Sequence, residues 1–217
     1  MSGPQALLTS FSTEPESIHL DAALLATTDI ASWSKQFTLG TAGYRDLLDP
    51  DDLFNFSVPF NGLSAALILE ARAQLAVEAG LKSLHVGGEV RPHTQEFIDL
   101  ASRIYAAHGI SVHLRPAGMR TTPIWLSSFG VFYDELDGGD NFTASHSQSY
   151  KGGWKPMEAA GGQLREMAGL IADRVRDLVS KASTEGITIN LAAANDDLIR
   201  HDFDPVDPNV DVLKKII

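Results

Sequence analysis

Between residues 61 and 79, Leu63, Ala66, Leu67, Leu69, Ala73, Leu75 and Ala76 recur at the spacing of a helix face, and Gly80 offers a stop. The same period predicts helices over residues 92–108, closed by Gly109, and after Thr122-Pro123, where Trp125, Leu126 and Phe129 are apolar. A longer amphipathic helix is predicted over residues 163–183, with Leu164, Met167, Leu170, Ile171, Val175, Leu178, Val179 and Ala182 as its packing stripe. Residues 21–36 also suit a helix, with Asp21 as N-cap. Strand character falls in between: residues 83–87, the alternating 110–114, the Gly-led run 139–144, and 187–191. Strand and helix alternating at this spacing imply βαβ crossovers, hence an α/β fold: a three-layer α/β/α domain around a mostly parallel, mixed sheet. Trp33 and Trp125 lie on apolar helix faces and are expected in the core.

The remaining segments read as connections. Residues 1–20 are Ser/Thr-rich and weakly periodic, a loosely ordered lead-in. Asp49-Pro50-Asp51-Asp52 is a turn, and the Pro- and Asp-rich residues 202–211 read as a linker. The expected organisation is a lead-in and helix over 1–37, the α/β domain over 38–201, and a linker over 202–217 leading toward a second domain.

Composition narrows the function classes. The chain has 217 residues, 44% hydrophobic and 21% charged, with a net charge of −11. That acidity argues against nucleic-acid binding, which needs a basic face, though it says nothing about a single cleft. With no cysteine, disulfides, thiolate catalysis and Cys-ligated zinc are excluded, which suits a cytoplasmic protein. No signal peptide and no membrane-length apolar run are expected. His85, His93, His108, His113 and His201 stand at spacings that suit no metal site and read as structural or solvent-facing.

The chemistry concentrates where the 139–144 strand ends in Thr143-Ala144-Ser145-His146 and runs through a polar loop that closes on Gly153-Trp154-Lys155. Open α/β sheets place ligands at the carboxyl ends of strands. Here a hydroxyl, an imidazole and a cation come together: a nucleophile, a hydrogen-bonding group and a phosphate partner. Arg45, after the Gly-rich run Leu39-Gly40-Thr41-Ala42-Gly43-Tyr44, is a second candidate cation, and Arg91 is expected to anchor the sheet's end through ion pairs.

Four of these segments, in this order, resemble the first domain of the α-D-phosphohexomutase superfamily of phosphoglucomutases and phosphomannomutases. Leu39-Gly40-Thr41-Ala42-Gly43-Tyr44-Arg45 resembles its early Gly-Thr-(Ser/Ala)-Gly-x-Arg segment, and Val86-Gly87-Gly88-Glu89-Val90-Arg91 its Val-Gly-x-Asp-x-Arg segment. Thr122-Pro123 matches a helix start, and Thr143-Ala144-Ser145-His146 with Gly153-Trp154-Lys155 matches the phosphoserine loop and its closing lysine. The resemblance implies that Ser145 carries the transferable phosphoryl group, that Arg45 and Lys155 steady it and assist proton movement, and that His146 supports it by hydrogen bonding. It further implies Mg2+, held partly through the phosphate on Ser145, a hexose 1,6-bisphosphate activator, and a hexose phosphate exchanged between its C1 and C6 esters.

Two departures qualify those implications. Ser147 and Gln148 replace the family's usual Asn and Pro in the loop, and Glu89 replaces an Asp. The family's Asp-rich metal segment, sugar loop and distal phosphate loop belong to later domains, and none occurs in this sequence. Asp202, Asp204, Asp207 and Asp211 lack that pattern and its following Arg. An Mg2+ ion prefers six oxygen ligands, so its remaining ligands are expected from missing C-terminal domains or a partner chain. A non-catalytic sugar-phosphate-binding or regulatory module is the alternative reading. A third, an unrelated phosphatase-like or acyl-transfer enzyme using Ser145, lacks a Gly-x-Ser-x-Gly elbow.

Overall fold

The computed structural model describes residues 13–40, 43–116, 119 and 121–216. The 1–12 part of the lead-in, Thr41-Ala42 of the Gly-rich segment and Ile217 lie outside the described residues. Six strands form the main sheet: β2 (Tyr44–Leu47), β3 (Ser83–Gly88), β4 (Ser111–His113), β5 (Gly138–Phe142), β6 (Lys151–Glu158) and β8 (Ile199–Arg200). Their order is β2-β6-β5-β3-β4-β8. β5, β3, β4 and β8 run parallel, and β6 is antiparallel to both neighbours. The α/β/α reading with a mostly parallel sheet therefore holds.

Ahead of β2 come β1 (Glu16–Leu20) and two short helices, α1 (Ala22–Leu25) and α2 (Ile30–Gln36). The other helices are α3 (Gly62–Glu78), α4 (Thr94–Ala107), α5 (Ile124–Tyr133), α6 (Ala168–Thr184) and α7 (Val206–Ile216), with strand β7 (Ile187–Leu191) after α6. α4 covers one sheet face, where Phe97 stacks on Phe142 and the Tyr105 hydroxyl donates to Asp140. α5 covers the other, where Ser127 bonds the side chains of His85 and Asn141. Most of α3 is buried, because it lies between the sheet layer and α6, and its start is secured by a reciprocal cap. The Asn61 side chain accepts from the Leu63 and Ser64 amides, at 2.9 and 3.0 Å, while Ser64 Oγ accepts from the Asn61 amide.

Several expectations need correction. The single helix over 21–36 is two helices, because the Thr27 and Thr28 hydroxyls turn back onto the Leu24 and Leu25 carbonyls and interrupt it. Residues 16–20 are not a loose lead-in but β1, whose Ile18 and Leu20 are buried. β1 pairs antiparallel with β7, so the strand predicted at 187–191 exists but forms a separate two-stranded ribbon. The segment after Ser145 is only briefly a loop, and Lys155 sits in mid-strand on β6. Residues 202–216 are not a free linker: Phe203 is fully buried against the His85 ring, with centroids 3.6 Å apart, and α7 follows. Trp33 is buried as expected, but Trp125 is 59% exposed on the outer face of α5. No helix among the described residues is long and apolar enough to cross a membrane.

Candidate active site

The strand order brings the candidate residues together. In the register, Asn141 of β5 faces both Gly87 of β3 and Lys155 of β6, and Gly153 of β6 faces Arg45 of β2. Directly paired residues point to the same sheet face, and alternate residues along a strand share that face. Arg45, Gly153, Lys155 and Asn141 therefore occupy one face at its carboxyl end, the face covered by α5. Glycine at 153 is required by this crowding, since a Cβ there would stand 2.4 Å from the Thr143 carbonyl oxygen and 2.8 Å from that of Tyr44. Gly43, with φ +87°, makes a similar close approach beside Lys155.

β5 is wholly buried, and its continuation surfaces at Ser145, a partly exposed residue in the left-handed region with φ 58°. For a residue with a Cβ that conformation is uncommon, and neighbouring groups must hold it. The Ser145 amide donates to Thr143 Oγ1 at 2.9 Å, and the Thr143 hydroxyl donates to the Glu89 carboxylate just beyond β3. On the other side, the Ser145 carbonyl accepts from Arg91 Nη2 at 2.5 Å. The same guanidinium donates to the carbonyls of Ser147, Gln148 and Lys151 at 2.9, 3.1 and 3.1 Å. Arg91 thus anchors the sheet's end through loop carbonyls and not, as expected, through ion pairs.

The remaining predicted groups sit around this loop. His146 is exposed, with Nδ1 3.4 Å from Ser145 Oγ. Arg45 is exposed and reaches the loop at the Ser147 hydroxyl, 3.4 Å away, with no bond to the Ser145 hydroxyl. Lys155 is only 9% exposed and makes no hydrogen bond or ion pair among the described residues. Burial holds its ammonium below the ordinary lysine range, the Arg45 charge pushes the same way, and Glu89 partly offsets both. On the same sheet face, His85 is sealed in and kept neutral, its pKa pushed down to about 3 by burial, with its ring nitrogens bonded to the His113 carbonyl and Ser127. His85 is therefore a structural histidine.

Sequence reasoning missed the Glu89–Thr143 pair and Ser147 as the partner of Arg45. The strand period places Thr143 on the face of Asn141, but nothing local showed that Glu89 would meet it from another strand. No three His, Asp or Glu side chains among the described residues are grouped to hold a metal ion. Near Ser145 the donors are a neutral hydroxyl, an imidazole and cations, with the nearby carboxylate already bonded to Thr143. These residues by themselves do not fit Mg2+, which needs several hard oxygen ligands.

Comparison with known proteins decides the family. The family model for phosphoglucomutase/phosphomannomutase, alpha/beta/alpha domain I, matches residues 37–182. This chain belongs to that family. Among solved structures it is similar to a Thermus thermophilus protein described as a phosphomannomutase, at 22% identity and a TM-score of 0.59. It is also similar to the open form of pp63/parafusin, an exocytosis-sensitive phosphoprotein and phosphoglucomutase from Paramecium, at 18% identity and a TM-score of 0.57. The matches cover 82% and 83% of this chain but only 35% and 29% of those structures. The chain thus spans about a third of their length and shares the fold of that portion. A search of curated proteins found no match.

Proposed function

We propose that this chain is the phosphoserine-bearing domain of a phosphohexomutase, with Ser145 Oγ accepting and returning a phosphoryl group during exchange between the C1 and C6 esters of a hexose phosphate. The observation that carries this reading is Lys155, a largely buried side chain whose ammonium has no bonded partner among the described residues, at the sheet end where Ser145 emerges. A cation only partly offset by Glu89 in such a position suits an incoming phosphate. Phosphoryl transfer depends on positioning and on offsetting the charge of the equatorial oxygens, roles open to Lys155 and Arg45. As the Oγ–phosphorus bond forms, the bond from phosphorus to the sugar oxygen breaks. His146 Nδ1 is within reach of the departing hydroxyl proton, and Lys155, its proton loosened by burial, can protonate the sugar oxygen.

A hexose 1,6-bisphosphate would prime Ser145. The sugar-selecting groups and most Mg2+ ligands would come from further domains or a partner chain, so no step is assigned to the metal. A cytoplasmic setting suits the cysteine-free, acidic chain.

The experiment is incubation of the chain with glucose 1,6-bisphosphate, followed by intact mass and peptide mapping. The expected result is one phosphoryl group on Ser145, absent in Ser145→Ala. An unmodified Ser145, even with a relative's C-terminal domains supplied in trans, would overturn the reading. One observation favours a second reading, sugar-phosphate binding without turnover: Arg45 engages Ser147, a residue that departs from the family loop, in place of the Ser145 hydroxyl. Saturable binding of glucose 6-phosphate with no labelling and no mutase activity in the reconstituted system would select it.

A further inference from the structure

The tail that follows β3, Glu89-Val90-Arg91, takes no part in the transfer just proposed, yet it meets Ser145 from both sides. We propose that Glu89 and Arg91 are positioning residues that lock Ser145 into its left-handed backbone and fix the shape of the loop through Lys151; the role rests on the phosphoserine reading. The Ser145 amide donates to Thr143 Oγ1, and the Thr143 hydroxyl proton is committed to the Glu89 carboxylate, which leaves an oxygen lone pair for that amide. The Ser145 carbonyl is held by Arg91 Nη2. Both backbone groups of the strained residue therefore depend on two side chains of one strand tail. Between them, Val90 is 88% exposed and contributes no packing.

Arg91 is matched to this task by its donor count. Its two terminal nitrogens carry four N–H groups between them, and four loop carbonyls, those of Ser145, Ser147, Gln148 and Lys151, accept from them. A planar fork can gather carbonyls in this way, whereas the compact ammonium of lysine, with three donors, cannot reproduce it. Carbonyls also leave the formal charge uncancelled, and Arg91 forms no ion pair with a carboxylate among the described residues. Its positive field therefore stays on the loop that would carry a phosphate dianion. Ser147 and Gln148, where the family usually has Asn and Pro, give this loop less intrinsic stiffness, which makes an external brace more consequential.

The test uses the whole chain with Arg91→Ala, Arg91→Lys and Glu89→Ala. Amide hydrogen exchange of residues 143–151 is measured beside the rate of Ser145 labelling by glucose 1,6-bisphosphate. In Arg91→Ala and Glu89→Ala, the Ser145, Ser147 and Lys151 amides should exchange roughly tenfold faster or more, while the α3 amides stay as slow as in the parent. Labelling should slow by about tenfold in Arg91→Ala, and free guanidinium ion should restore part of the rate. Arg91→Lys, which keeps the charge, should remain folded and still show fast loop exchange. Loop exchange at the parent rate in Arg91→Ala and Arg91→Lys would overturn the proposal, as would undiminished labelling on a loosened loop. If the parent takes up no phosphate, the phosphoserine reading fails separately, and the exchange arm still decides whether Arg91 and Glu89 brace the loop.

Discussion

Arg103 on α4 and Lys155 on β6 are both almost sealed from solvent, yet their surroundings differ in kind. Arg103, fully buried where α4 meets the β1–β7 ribbon, donates to the Ala192 carbonyl at 2.8 Å and to Glu16 at 2.7 Å, with Asp99 3.7 Å away. Its charge is answered on several sides by groups of the same chain. Lys155 lies at the carboxyl end of the main sheet, among strands drawn from β2, β5 and β6, with no bonded partner among the described residues. Burying a cation without a partner costs free energy, and folding alone gives no return for it. The charge of Arg103 is thus completed within the chain, while that of Lys155 has no bonded partner among the described residues. That contrast can be broken by experiment.

The largest effect is expected at the completed site. Replacing Arg103 by Met would strand the Glu16 and Asp99 carboxylates in a largely buried corner, and breaking such a group typically costs about 3–5 kcal/mol. Urea unfolding of Arg103→Met should show a loss of that size with an unchanged denaturant slope. A loss below about 1 kcal/mol would mean that Arg103 is not the keystone of that corner.

A smaller, pH-dependent effect sharpens the same side of the comparison. Burial raises the Asp99 carboxyl to about 6, against the pull of Arg103, with Glu16 pushing it further upward. The folded state thus holds the Asp99 proton more tightly than the unfolded chain, whose value lies near the ordinary 3.8. The associated stability is present below about pH 4 and is lost as pH rises through about 6. The difference in unfolding free energy between the parent and Asp99→Asn should move by on the order of 2 kcal/mol across that window, in favour of Asn at the upper end. No change in that difference between pH 4 and 7 would show that Arg103 fully compensates Asp99.

The two regions were not equally legible in the sequence. The helices around the core were readable because their apolar periods run for ten residues or more, and the buried strands because glycines bound them. The candidate nucleophile and cations could be named from the sequence because the motifs carrying Arg45, Ser145 and Lys155 are local strings. What escaped was the contact between strings. Glu89 meeting Thr143, and Arg91 gathering four carbonyls, follow from β3 lying beside β5, a parallel neighbour roughly fifty residues away in sequence. β1 was hidden for another reason: five residues with only Ile18 and Leu20 facing inward make too short a pattern, and the pairing that justifies it arrives with β7. Phe203 and α7 were obscured by prolines and aspartates that suggest a linker, although the Phe203 ring against His85, the Asp202–His113 bond and the Arg115–Asp204 pair dock the segment.

The smallest change in stability is expected at the open site, and its smallness is informative. Lys155→Met keeps the length and apolar body of the side chain while removing the ammonium. It deletes the desolvation cost and the repulsion from Arg45, and loses the smaller attraction to Glu89. Stability should be unchanged or rise by up to about 1 kcal/mol, a melting shift of about 2–4 °C upward for a chain of this size. Phosphate chemistry should respond in the opposite sense. Labelling of Ser145 should fall by about a hundredfold or more, since a positioned cation on a transferring phosphoryl group contributes on that scale. A melting loss near that of Arg103→Met would place Lys155 among the structural charges. Unaltered labelling would remove it from the site, leaving Arg45 and Arg91 as the cations able to attract the phosphate.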